Sequence, residues 1–161
     1  AVHAFLLAAV APGGMTLPFH YPAPEQWAQW QRGFRVHDIT GEDLTASHAG
    51  AWQPGWVGIA LNGFDDPFFV DLNDAAQGFP VYYAPHGAGR WEAQRVAPTL
   101  ENFHHRLVAL RDLAEDGPAF ARYLDALPET QLPFWTEVHR ERREQEEQND
   151  DEIATPFDPA D

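Results

Sequence analysis

The chain reads as one α+β domain, a twisted antiparallel β-meander packed against C-terminal helices on one side. Three observations predict this. Asn62-Gly63 stands between strand-like runs, a hairpin signal because a type I′ turn needs positive φ at both central residues. DPFFVDL at 66–72 and FPVYYA at 79–84 alternate as half-buried antiparallel strands do. Leu100, Phe103, Leu107 and Leu110 then recur at helical spacing, which lays one apolar stripe on the sheet.

Taken in order, residues 2–11 form an apolar helical pattern that stops at Pro12-Gly13-Gly14. The run is too short to span a bilayer and lacks the basic flank of a secretory signal, so a helix on the core is expected. A proline- and aromatic-rich loop follows to Pro24, a good first helical position for a short helix carrying Trp27 and Trp30. Gly33 ends it, and FRVHDI reads as a first strand before a polar connection over 40–50. The meander occupies about 52–97. Pro98 and Thr99 open a helix to about Leu113, and Asp116-Gly117-Pro118 breaks the chain. Phe120, Tyr123, Leu124 and Leu127 mark a second helix, and residues 134–148 a third, charged on nearly all sides after Val138. The domain is expected to span 1–143, with 144–161 an acidic, disordered tail.

Composition removes several chemistries. There is no Cys, hence no disulfide framework, thiol nucleophile or Cys-ligated zinc. This fits a reducing compartment, and a cytoplasmic location is expected. All ten basic residues are Arg, so a Schiff base and a phosphate-loop lysine are excluded within this chain. The single serine, Ser47, lies in TASHAG and not in a G-x-S-x-G elbow. The formal charge is −15, with eight acids and no base over 144–161. Residues 36–89 add Asp38, Glu42, Asp43, Asp65, Asp66, Asp71 and Asp74 without one Arg. Such a body repels nucleic acid and anionic membranes and attracts basic partners, although solubility alone also explains an acidic surface.

Trp56, DPFFVDL, PVYYAPHGAGRW at 80–91 and VAPTLENFHHRL at 96–107 together resemble the SUKH superfamily. That family includes the yeast Smi/Knr-type cell-wall regulator and many bacterial immunity proteins. The match covers residues 52–113. It rests on Trp56, Asp66, Pro67, Asp71, Val81, His86, Gly87, Gly89, Trp91, Val96, Ala97, Thr99, Leu100 and Phe103. The resemblance implies a mixed fold and a non-enzymatic binding role, usually neutralising a toxin domain encoded next door and often a nuclease. The acidic centre agrees, since an acidic inhibitor can occupy a phosphate-holding basic face.

Asp66 and Asp71 have turn-forming readings, Asp66-Pro67 being a turn pair and Asp71 a strand-end acceptor. The expected charged contact set is Glu42, Asp43, Asp65, Asp74 and Glu92. His86 is expected to stabilise the PHGAG turn, with a catalytic base as the alternative. His104 and His105 point about 100° apart on a helix and cannot share a metal, and no histidine spacing suggests zinc. No metal and no cofactor are expected. Trp56 and Trp91 read as core, whereas Trp27, Trp30 and Trp135 lie in polar surroundings and are expected to be partly exposed. Two alternatives stand beside a toxin-neutralising protein: a regulatory adaptor acting through its acidic tail, and a small hydrolase pairing Asp71 with Glu92. Oligomeric state is left open.

Overall fold

The computed structural model describes residues 1–154. Helix α1 (Val2–Ala8) is followed by two 3₁₀ turns, Pro24–Gln26 and Gln29–Gln31. Strands β1 (Trp56–Leu61), β2 (Pro67–Asp71), β3 (Val81–Tyr83) and β4 (Gln94–Ala97) come next, with a 3₁₀ turn over Leu72–Gln77 after β2. Helices α2 (Leu100–Asp112), α3 (Gly117–Asp125) and α4 (Pro133–Ala154) complete the order. The strands form one antiparallel sheet, β1-β2-β3-β4, with Trp56 opposite Asp71, Phe69 opposite Tyr82, and Tyr82 opposite Arg95. The α+β meander is therefore present, with the C-terminal helices on one side of it.

Strands β1 and β2 are not half-buried. Phe68, Phe69 and Val70 are all fully enclosed. Side chains alternate across a sheet, so Phe68 and Val70 meet the helical layer, where Phe103, Leu107, Phe134 and Trp135 pack. Phe69 points the other way into a second cluster with Trp52, Ala84, Phe34, Trp56, Tyr82 and Trp91. That second cover comes from the irregular 31–56 segment and the β3–β4 connection. Period-2 patterning reports one buried face and misses a cover made of loop.

Several local expectations are corrected. Asn62-Gly63 does not make a two-residue turn: Leu61 pairs with Pro67 across a longer loop in which Asp65, at φ 63°, is left-handed. Asn62 organises that loop by accepting the N–H groups of Phe64 and Asp66. Gly63 is needed for proximity, because a Cβ there would sit 2.7 Å from the Met15 sulfur. FRVHDI forms no strand; Val36 makes only isolated bridges, to Arg32 and Asp43, since the edge of β1 is already occupied. The first helix ends at Ala8, where Ala9 turns left-handed at φ 43°.

Trp135 is buried at 1 % exposure and donates Nε1–H to Val96 O at 2.9 Å. The acidic tail does not begin as a disordered segment: α4 continues to Ala154. Ion pairs one turn apart, Arg140–Glu144 at 2.7 Å and Arg142–Glu146 at 3.0 Å, support it. Arg142 also donates to Ala114 O and lies over the Phe120 ring. Residues 155–161 of the expected tail lie outside the described residues. Among the described residues no helix is long and apolar enough to cross a membrane.

Candidate functional site

The β1 edge is covered by side chains and loop backbone, and on β4 one carbonyl is covered. On β1, the buried Gln31 amide accepts the Gly58 N–H at 2.7 Å and donates to Gly58 O at 2.9 Å, and Trp27 Nε1–H also reaches that carbonyl. Trp56 O takes Arg35 and Trp52, while Leu61 exchanges backbone bonds with His20. On β4, Val96 O accepts from Arg106 at 2.8 Å and from Trp135. Unpaired edge groups invite a further strand, so these contacts disfavour strand addition along β1.

The second face of the sheet carries the densest aromatic surface. Phe69 is its enclosed floor, with Trp56 at 4.5 Å and Tyr82 at 5.8 Å between ring centroids. Trp52 touches Trp56, Phe69 and Trp91, and Phe34 touches Trp52 and Trp91. Trp52 and Phe69 are buried, whereas Trp56, Tyr82, Trp91 and Phe34 are half-buried. Burial raises the Tyr82 O–H above its ordinary value, the negative charge of Asp74 adds to this, Arg95 opposes it, and Asp71 contributes last. Two carboxylates thus stand within electrostatic reach of a partly exposed ring.

The anticipated acids do not form one surface. Asp71 and Asp74 gather beside Trp56 and Tyr82, where Asp71 Oδ1 accepts the N–H and side-chain amide of Asn73, each at 2.9 Å. Asp43 adjoins this end through Arg35, whose guanidinium holds Pro54 O and Trp56 O. Asp43 caps its own turn, and hydrogen bonds from the Thr45 N–H and hydroxyl keep its carboxyl below the usual range. Glu42 is exposed on the same loop. Asp65 is exposed at the opposite end of β2, in the β1–β2 hairpin. Glu92 is exposed and pairs with Arg90 at 3.3 Å. Asp71 and Glu92 have separate partners, Asn73 and Arg90.

Of the family-like positions, Leu100 and Phe103 are core residues of α2, and Thr99 caps that helix by accepting the Asn102 N–H at 3.0 Å. Trp91 is held by its N–H to Gly50 O, and Gly87 and Gly89 both have positive φ. Asp66 and Pro67 are buried at the start of β2, and Asp66 accepts from Tyr83 and His86. Sequence reading missed Tyr82, Phe69, Phe34 and Trp52 as one cluster. The signal lay in FFV and VYY, whose alternate members face away from the helices. Among the described residues no group of three or more His, Asp or Glu could hold a metal ion. No family model matches this chain, and no curated protein and no solved structure matches it.

Proposed function

We propose that this chain is a protein-binding domain that engages a basic partner through its aromatic second face, and in the reading implied by the SUKH resemblance it neutralises a cationic, nuclease-type toxin domain. The observation that carries the reading is the half-buried Trp56 and Tyr82 over the buried Phe69, next to Asp71 and Asp74. Aromatic anchors concentrate binding energy at interfaces, and carboxylates around them select and steer a cationic partner. The covered β1 edge supports it by disfavouring strand addition there. The net charge of −15 disfavours nucleic acid as the ligand. The reading assigns no reaction to this face.

The test is co-expression with the product of the adjoining reading frame, scoring survival and co-purification at low and high salt. Survival with a complex weakened by salt supports the acidic rim. Removal of the acidic tail, residues 144–161, separates the adaptor alternative, because a neutraliser keeps its activity without it and a tail-driven adaptor does not.

A further inference from the structure

Beside Trp56 the fold fixes a carboxylate without neutralising it. Trp56 and Asp71 stand directly opposite each other on β1 and β2, and Asp71 comes two residues after Phe69, so all three side chains share the second face of the sheet. Asp71 Oδ1 accepts the N–H and the side-chain amide of Asn73, each at 2.9 Å. Leu72 N–H reaches Gly55 O at 2.9 Å and closes the clasp. Gly55 is bare because a Cβ there would collide with Asp71 Oδ1 and Asn73 Nδ2.

Capping the 3₁₀ turn uses Oδ1 alone. Among the described residues Asp71 Oδ2 has no hydrogen bond and no cation, and the Asp74 carboxylate has neither. Both carboxylates reach the Tyr82 hydroxyl electrostatically. The neighbouring cations do not cancel them. Arg35 commits its guanidinium to Pro54 O and Trp56 O and stands against Asp43. Arg95, opposite Tyr82, sets one positive charge against two negative ones. Aromatic and apolar surface lies open beside them: Trp56 and Tyr82 are half-buried, and Leu72 is 50 % exposed.

We propose, resting on the reading of this face as a binding surface, that Trp56, Tyr82, Asp71 and Asp74 anchor an arginine side chain of the partner, with Leu72 meeting the apolar residue beside it. A guanidinium answers both features of the site. Its plane packs on aromatic rings, and its edge pairs with carboxylate oxygens through parallel N–H groups. A lysine ammonium is a compact, strongly hydrated charge and supplies mainly the attraction. Asp71 Oδ2 accepts without disturbing the Asn73 clasp, so the carboxylate needs no reordering on binding. The partner's chemistry is thereby narrower than a basic surface: it presents an exposed arginine next to an apolar residue.

The experiment titrates the full chain with the peptide acetyl-Leu-Arg-Leu-amide and with its lysine counterpart, following the Trp56 indole N–H and the Tyr82 ring by NMR. The arginine peptide should bind with a Kd on the order of 1 mM, about fivefold more tightly than the lysine peptide. Asp71→Asn and Asp74→Asn should each weaken it about threefold, and Arg95→Gln should tighten it about twofold. Glu115→Gln, in the α2–α3 turn, should leave it unchanged. Equal affinity for the two peptides, no shift at Trp56 and Tyr82, or binding unchanged in both Asp variants overturns the anchor. The wild-type comparison decides even where a variant fails to fold. Anchor and toxin partner also fail separately. Arginine binding without a complex in co-expression keeps the anchor and sinks the toxin partner, whereas a complex that forms while neither peptide binds sinks the anchor alone.

Discussion

Gln31 closes Gly58: one side-chain amide satisfies both backbone groups of a β1 residue, at 2.7 Å and 2.9 Å, as a neighbouring strand would. Gln31 is 6 % exposed and its amide cannot be removed without stranding the Gly58 N–H, although Trp27 still serves the carbonyl. Gln31→Leu should cost about 2 kcal/mol, seen as a lower urea midpoint. The opened edge should also make the variant self-associate as concentration rises, visible by light scattering. Unchanged stability and a monomer-like scattering profile would sink this account.

Arg106 and Glu129 supply a second case. Arg106 is 7 % exposed, donates to Val96 O, lies 5.9 Å from the Trp135 ring centre and 3.0 Å from Glu129 Oε2. That last contact is ionic and poorly aligned as a hydrogen bond. Glu129→Ala should cost about 3 kcal/mol, because it leaves a nearly buried guanidinium without its counter-charge. Arg106→Met combined with Glu129→Met should recover part of that loss, and a double-mutant cycle on unfolding free energies measures the coupling.

All four tyrosines hold their protons more tightly than free tyrosine, with burial the leading cause at Tyr21, Tyr82, Tyr83 and Tyr123. At Tyr83 the hydrogen bond and charge of Asp66 add to it. Unfolded tyrosines ionise near 10, so above about that pH the unfolded chain loses protons first. Stability is then complete below about pH 10 and falls as pH rises toward the native values. Tyrosinate absorbance should lag behind that of free tyrosine and then rise together with loss of circular dichroism. A smooth titration of four rings near pH 10, with the fold intact, would contradict the burial argument.

Asp71→Asn with Asp74→Asn tests the binding face without a partner. Removing two negative charges should lower the Tyr82 O–H toward its ordinary value, measured by NMR titration of a chain with labelled tyrosine. The same variant should weaken any salt-sensitive complex at least tenfold, with little change in unfolding midpoint because Asp71 keeps an acceptor for Asn73. An unaltered complex would move recognition elsewhere.

Gly63→Ala should cost about 1 kcal/mol, since its Cβ meets the Met15 side chain at 2.7 Å and the Met15 Cα at 3.2 Å. Gly117→Ala meets only the end of the Glu146 side chain, which can swing away, so little loss is expected on thermal unfolding.

How much was legible follows from the range of each interaction. Strands β1 to β3, the stripe on α2 and the Thr99 cap were readable because they depend on neighbours within a few residues. Trp135 was not, since its polar sequence neighbours conceal a partner at Val96, which only the packing of α4 brings near. The acids were visible as residue types, yet their grouping was not: Asp65 and Asp74 lie close in sequence and at opposite ends of β2.

By itself, then, the sequence determined the composition-level exclusions, the antiparallel meander and the helices that follow it, because residue periodicity and helix capping act locally. Only the tertiary structure decided that loop 31–56 covers the second face, that Gln31 closes Gly58, and that Asp66 orients His86. Each of these joins residues twenty or more positions apart in chain, or sets a side-chain geometry. Such contacts form once folding has spent the entropy of closing long loops, and no short window of sequence records them.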